Sequence, residues 1–239
     1  MAQSTVLTRA GLVRGAKAGQ PLAVATFIYG IAFGLMAQQI SLSLLEAALV
    51  SAFVYSGTAQ LAMIGILAEA GGAAGVGVVS IAVTVLVMNA RYFLFSAALR
   101  PWLGGLTPGR AYGSLYFLGD GNWLLSMKAH DAGEEDAGFL LGSGLLIFAG
   151  WMAGTALGVS AGAVAPDPRV LGLDFLLVAF AGAMMLAMTK ARADLLVIAA
   201  GALAAIAVGS LASFGWAIVA AGLAGGAVAY LRVRAGIGG

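Results

Sequence analysis

Between Pro21 and Leu231 the chain is a succession of apolar runs, at about 21–40, 43–70, 74–98, 112–128, 138–161, 172–188, 193–210 and 213–231. A helix needs about 20 apolar residues to cross the hydrocarbon core of a bilayer, and most of the runs have that length. Breakers separate them: Gly71-Gly72, the segment from Pro101 to Pro108, the acidic loop 131–136, and Pro166-Asp167-Pro168. In hydrocarbon a helix satisfies its own backbone hydrogen bonds. The expected fold is therefore an all-α integral membrane protein with about eight transmembrane helices. The fourth run is short and carries Asp120, Gly121 and Asn122, so a re-entrant segment stands as the alternative there.

Composition agrees. Hydrophobic residues make up 62% of the 239 residues, charged residues 9%, and the mean hydropathy is +1.01. A soluble domain carries roughly 25% charge. The absence of cysteine excludes disulfides and thiolate metal sites, and no cofactor or metal is expected. The single histidine, His130, sits beside Asp131, Glu134, Glu135 and Asp136 and reads as part of a solvated loop. The pI of about 9.1 accompanies a net charge of only +2, a pattern of positive-inside bias and not of nucleic-acid binding.

Residues 1–20, with Arg9, Arg14 and Lys17, are expected to be a cytoplasmic or interfacial segment, residues 4–19 forming a short helix. The run after them is longer than a signal-peptide core, so the segment is expected to be retained. Residues 21–232 form one transmembrane transporter domain. With eight spans and both termini inside, Arg9, Arg14, Lys17, Lys128, Lys190, Arg192, Arg232 and Arg234 face the cytoplasm, and Arg100, Arg110 and Arg169 face out. A re-entrant fourth run leaves only Arg9, Arg14, Lys17 and Arg169 inside. The positive-inside rule favours eight spans.

An internal repeat is visible. Gly30 and Gly34 in FIYGIAFG match Gly154 and Gly158 in GWMAGTALG at an offset of 124 residues, and Gly57 falls near Gly182 at 125. Transporters are often built from such repeats, here 21–128 and 138–232. Four spans per copy would make the copies parallel; a re-entrant fourth run would make them inverted. The two G-x-x-x-G pairs themselves read as helix packing.

Polar groups at membrane depth are costly and mark candidate sites. In FVYSGTAQLAMIG, Ser56 and Gln60 share a helix face, with Gly57 and Thr58 between them. An unwound turn survives in a bilayer only where it lines a cavity or is buried in protein. Ser56-Gly57-Thr58-Ala59-Gln60 therefore reads as a broken helix near the midplane, whose second half offers free N–H groups to an anion. In LVMNARYFLFSAALRPW, Asn89 and Arg91 lie inside the third run. Three readings of Arg91 stand: it grips a substrate carboxylate, pairs permanently with an acid, or snorkels to an interface. In YFLGDGNWLL, Asp120 is the one acid central to a run, a candidate partner of Arg91 or a proton-coupling group.

At these motifs the chain resembles the AzlC family, the large subunit of bacterial branched-chain amino acid exporters. The likeness runs from about Gly15 to Arg232 and rests on GQPLAVATFIYGIAFG, S-G-x-x-Q in FVYSGTAQ, N-A-R in VMNARYFLFSAALRP, and the aspartate of YFLGDGNW. That family tends to place a second acid directly after the aspartate; here Gly121 and Asn122 follow Asp120. The resemblance implies branched-chain or similar apolar amino acids as substrate, export from the bacterial plasma membrane, and a small hydrophobic partner subunit of the AzlD type. Ser56, Gly57, Thr58, Gln60, Asn89 and Arg91 are then the expected substrate-binding residues, with Asp120 for ion or proton coupling. A channel for small neutral or zwitterionic solutes is the rival reading. A membrane-embedded hydrolase is disfavoured, since the chain lacks cysteine and its single histidine, His130, reads as a loop residue.

Overall fold

The computed structural model describes residues 6–69, 78–164, 191–211 and 214–236, together with Gly182, Met185 and Thr189. Among them the regular structure is helical: α1 (Arg9–Gln39), α2 (Leu44–Phe53), α3 (Gly57–Glu69), α4 (Val78–Asn89), α5 (Arg91–Leu103), α6 (Pro108–Tyr116), α7 (Asp120–Asp131), α8 (Gly138–Gly162), α9 (Asp194–Gly209) and α10 (Phe214–Arg234). Three stretches are long and apolar enough to cross a bilayer: Arg9–Gln39, Ile81–Leu103 and Gly138–Gly162. The apolar runs at 43–70 and 112–128 each appear as two shorter helices. The run at 172–188, and with it nearly all of the second member of the Gly57–Gly182 match, lies outside the described residues. Two compact units form, one from residues 1–60 and 89–167, the other from 61–88 and 168–239.

The first unit is organised around α1 and α8. Glycine recurs along both at four-residue steps, so that neither helix carries bulk on the facing side. A Cβ on Gly15 would lie 1.9 Å from the Phe139 carbonyl oxygen, and one on Gly34 2.3 Å from that of Thr155. The contacts are reciprocal at the offset of 124. Gly30 abuts the backbone of Trp151 and Gly154, while Gly154 abuts that of Phe27 and Gly30. Gly34 meets Thr155 and Gly158, while Gly158 meets Ile31 and Gly34. The two helices therefore run parallel and touch along their lengths, with the backbones in direct van der Waals contact.

This seam corrects the expectation of a separate helix over residues 4–19. α1 runs unbroken for 31 residues with Pro21 inside it, about 46 Å at 1.5 Å per residue. Proline ordinarily ends or kinks a helix by removing a hydrogen bond. Here Gly11, Gly15 and Gly19 continue the docking surface below Pro21 against Asp136, Phe139 and Ser143, so the helix stays held on both sides of it.

The acidic loop is also more than a solvated run. Thr8 caps α1 through the Gly11 N–H, and its own N–H donates to Asp136 Oδ1 at 3.0 Å. The Thr8 hydroxyl donates to Asp136 Oδ2, and Gly138 N–H donates to Oδ1 at 2.9 Å. Asp136, only 6% exposed, thus ties the starts of α1 and α8 together. Arg14 grips Glu134 with two prongs, Nε and Nη2, each at 2.9 Å. That bond, above all, holds the Glu134 carboxyl below the usual carboxylate range. At Asp136 burial pushes the carboxyl up, but the Thr8 and Gly138 donors and Arg14 outweigh it and the net direction is down. His130 stacks on Trp102, whose indole N–H donates to the Glu135 carbonyl at 3.0 Å.

In the second unit α9 and α10 pair antiparallel. Gly201 faces Ala221, Gly225 faces Val197, and Arg232 closes one end on Asp194 at 3.1 Å.

Candidate functional site

Within the first unit, three helical stretches are interrupted, and each interruption has a local cause. α2 stops at Phe53 and α3 starts at Gly57, leaving Val54 to Ser56 outside either helix. The break thus lies just before the Gly57–Gln60 stretch. Gly57 opens α3 because it has no room for a side chain: a Cβ there would sit 2.8 Å from the Tyr29 ring and 3.3 Å from Trp151. α6 stops at Tyr116 and α7 starts at Asp120, behind an extended Gly119. Between α4 and α5 the interruption is slight. Ala90 keeps helical dihedrals, and the Phe93 N–H turns to the Ala90 carbonyl at 3.1 Å.

Breaks expose the carbonyls that end one half-helix and the N–H groups that begin the next. Carboxamides staple both. Gln60 Nε2 reaches back to the carbonyls of Val50 and Val54, each at 3.3 Å. Asn122 Nδ2 donates to the Phe117 carbonyl at 2.9 Å, and its Oδ1 accepts from Gly119 N–H at 2.6 Å. The Tyr116 hydroxyl donates to the Ala52 carbonyl and so joins the ends of α2 and α6. A buried hydrogen bond at 3.1 Å between Ser51 and Thr155 fixes α2 to α8. Trp151, against Gly57, is 13 residues into the 25-residue α8. The first break therefore lies level with the middle of that helix.

Arg91 joins the interruptions. Its Nη2 donates to the Thr58 hydroxyl at 3.0 Å and to Asp120 Oδ2 at 2.9 Å. Each of the three residues lies in the first turn of a helix: Thr58 in α3, Arg91 in α5 and Asp120 in α7. The Arg91 guanidinium carbon also lies 5.2 Å from the Tyr92 ring. Both members of the ion pair are partly open, with Arg91 31% and Asp120 39% exposed. Arg91 Nε is buried and has no partner.

Of the residues singled out in the sequence, the structure brings Thr58, Arg91 and Asp120 into contact. Gln60, wholly buried, serves the break of its own helix and leaves Oε1 unpartnered. Ser56, 4% exposed, has an unpartnered hydroxyl, as has the buried Oδ1 of Asn89. Buried polar atoms in folded proteins nearly always have partners. Three of the unmet atoms are oxygens on residues that flank the interruptions; Trp123 Nε1, Ser126 Oγ, Trp151 Nε1 and Arg232 Nε are unmet as well. Tyr29, Trp151, Tyr116 and the stapling role of Asn122 were not read from the sequence. Asn122 was noticed as a polar residue of the short fourth run and as a departure from the second acid, and the aromatics gave no signal beyond neighbouring the glycine pairs. Among the described residues no cluster of three His, Asp or Glu is placed to hold a metal.

The profile of AzlC proteins matches residues 21–165, which include every residue of this arrangement. A relative from Archaeoglobus fulgidus, described as an uncharacterized membrane protein, is 28% identical over 142 residues. That match covers 59% of this chain and 58% of the relative, so the chain spans little more than half of that protein's length. No solved structure matches the chain.

Proposed function

The chain belongs to the AzlC family, and from that premise we propose that it is a secondary transporter exporting branched-chain or similar apolar amino acids. It would do so across the bacterial plasma membrane, with both termini cytoplasmic, as the large subunit beside a small hydrophobic AzlD-type partner. Eight spans in two parallel repeats complete the proposal: α2 with α3, α4 with α5, and α6 with α7 each count as one crossing. The observation that carries this reading is the meeting of three interrupted helices at Arg91. Half-helix ends at mid-membrane are what transporters use to hold the charged ends of a small solute while the aliphatic part packs on apolar walls.

In this mechanism Ser56, Gly57 and Thr58 present the N-terminal N–H groups of α3 to the substrate carboxylate, with Arg91 supplying the counter-charge. Gln60 Oε1, Ser56 Oγ and Asn89 Oδ1 supply polar contacts that are unmet in the chain alone. Asp120 is the candidate for ion or proton coupling. Arg91→Ala and Gln60→Ala are expected to abolish leucine efflux from cells while leaving the protein in the membrane. Unchanged efflux in both would remove the site. Accelerated exchange of labelled leucine against unlabelled leucine inside proteoliposomes is expected of a carrier; flux rising linearly with concentration would identify a pore instead.

A further inference from the structure

Resting on the amino-acid reading above, we infer that Asp120 is a displaceable stand-in for the substrate's carboxylate and, once displaced, the receptor for its ammonium. Among the described residues Arg14, Arg91 and Arg232 each pair with a carboxylate. Arg232 and Arg91 both use a single nitrogen, but Arg91 alone does so where three helix starts meet, and its grip differs from that of Arg14. Arg14 holds Glu134 through both Nε and Nη2 at 2.9 Å, the bidentate fit that suits a guanidinium. Arg91 meets Asp120 through Nη2 alone, shares that nitrogen with Thr58, and keeps Nε buried and unpartnered. A buried donor without an acceptor is unfavourable.

Asp120 is held to this half-fit by its position. It is the first residue of α7, and the Gly119–Asn122 staple fixes the backbone directly before it. A free carboxylate carries no such tether and takes the Nε–Nη2 edge whole. The pair also lies where a solute can reach it, since both side chains are about a third exposed. Charge balance then defines the ligand. Arg91 and Asp120 are neutral together, and a zwitterion leaves them so, its carboxylate on Arg91 and its ammonium on Asp120. A carboxylate without an amine strands Asp120, and an amine without a carboxylate strands Arg91. Uncompensated charge at membrane depth is costly. Asp120 is thus a specificity determinant for the α-ammonium group.

The test is equilibrium binding of labelled leucine to the purified full chain, co-expressed with its small subunit. The competitors are 4-methylpentanoate, which is leucine without its amine, and 3-methylbutylamine, which is leucine without its carboxylate. In the wild type each competitor is expected to bind at least tenfold more weakly than leucine. Asp120→Asn is expected to weaken leucine at least tenfold while leaving 4-methylpentanoate unchanged or tighter. Arg91→Gln is expected to weaken leucine and spare the amine. Equal wild-type affinity for leucine and 4-methylpentanoate overturns the inference without any variant. So does an Asp120→Asn protein in which both ligands weaken in proportion, or in which leucine is unaffected. A wild type that binds no leucine overturns the amino-acid reading itself and this inference with it.

Discussion

Substitution of Gly158 by alanine tests the packing that underlies the first unit. The added Cβ would lie 2.2 Å from the Ile31 carbonyl oxygen and 3.0 Å from Gly34 Cα. Both neighbours are backbone, so no side chain can rotate away, and α1 and α8 must separate by about 1 Å. A gap of that size forfeits a quarter to a half of each dispersion contact it opens. Overpacking costs about 1–3 kcal/mol, and the rigidity of this site places Gly158→Ala near 3. Alanine recovers about 1 kcal/mol of helix propensity, for a net loss of about 2 kcal/mol. Gly113 in α6 is the control, because a Cβ there meets nothing within 4 Å. Gly113→Ala should gain about 1 kcal/mol. Adding Gly154→Ala to Gly158→Ala, with its own clash at 2.1 Å on Phe27, should cost little more, since one separation relieves both. Thermal unfolding in detergent, followed by tryptophan fluorescence with Trp151 stacked on Phe33 at the seam, reads these differences. Equal melting of Gly158→Ala and Gly113→Ala would refute the close parallel contact.

Gln60→Ala is expected to lose roughly 2–4 kcal/mol in the same melts, by leaving the Val50 and Val54 carbonyls unmet and opening a cavity in a fully buried position. The Glu134 and Asp136 carboxyls lie below their unfolded values, so their stabilisation is complete above about pH 4.5 and is lost as pH falls through the lower folded values. Hydrogen exchange at residues 8–14 should therefore be flat from pH 7 to 5, after correction for intrinsic rates, and rise in acid; Arg14→Ala should bring the rise to higher pH. Single cysteines placed in this cysteine-free chain at Ala10 and Gly133 are expected to react with an impermeant maleimide from the same side of the membrane, and one at Gly105 from the other.

Hydropathy made the three long apolar stretches legible because the bilayer selects runs of apolar residues whatever they touch. The break before Gly57 was legible for the converse reason: Ser56, Thr58 and Gln60 are too polar to lie idle in an apolar run. Partners were not legible. An amide at position 60 must find acceptors, but nothing local says that they are the carbonyls of its own preceding half-helix. Arg91 and Asp120 are 29 residues apart, and their meeting depends on two breaks whose positions the sequence marks only loosely. The glycine offset of 124 showed that two segments are alike. It did not show that the like residues touch, because only the parallel docking of α1 on α8 places Gly30 against Gly154. The expected short helix over residues 4–19 gave way to the longer α1 for the same reason, since tertiary docking on both sides of Pro21 outweighs that residue's local tendency to end a helix.

The parallel seam also bears on the fourth apolar run, through parity. Thr8 at the start of α1 donates to Asp136 at 3.0 Å, two residues before α8 begins. The starts of both helices therefore lie on one side of the membrane. On the proposed topology α1 carries the chain to the other side, so an odd number of crossings must return it before α8. Between them lie α2 with α3, α4 with α5, and α6 with α7. If the last pair were re-entrant, only two crossings would remain, and residues 131–136 would emerge opposite the α1 start to which they are hydrogen-bonded. The proposed three crossings would satisfy the contact and would place Lys128 on the side of Arg9, Arg14 and Lys17, in keeping with the positive-inside rule. A Gly133 cysteine labelled from the side opposite Ala10 would break this chain of reasoning at its first step, the contact between Thr8 and Asp136.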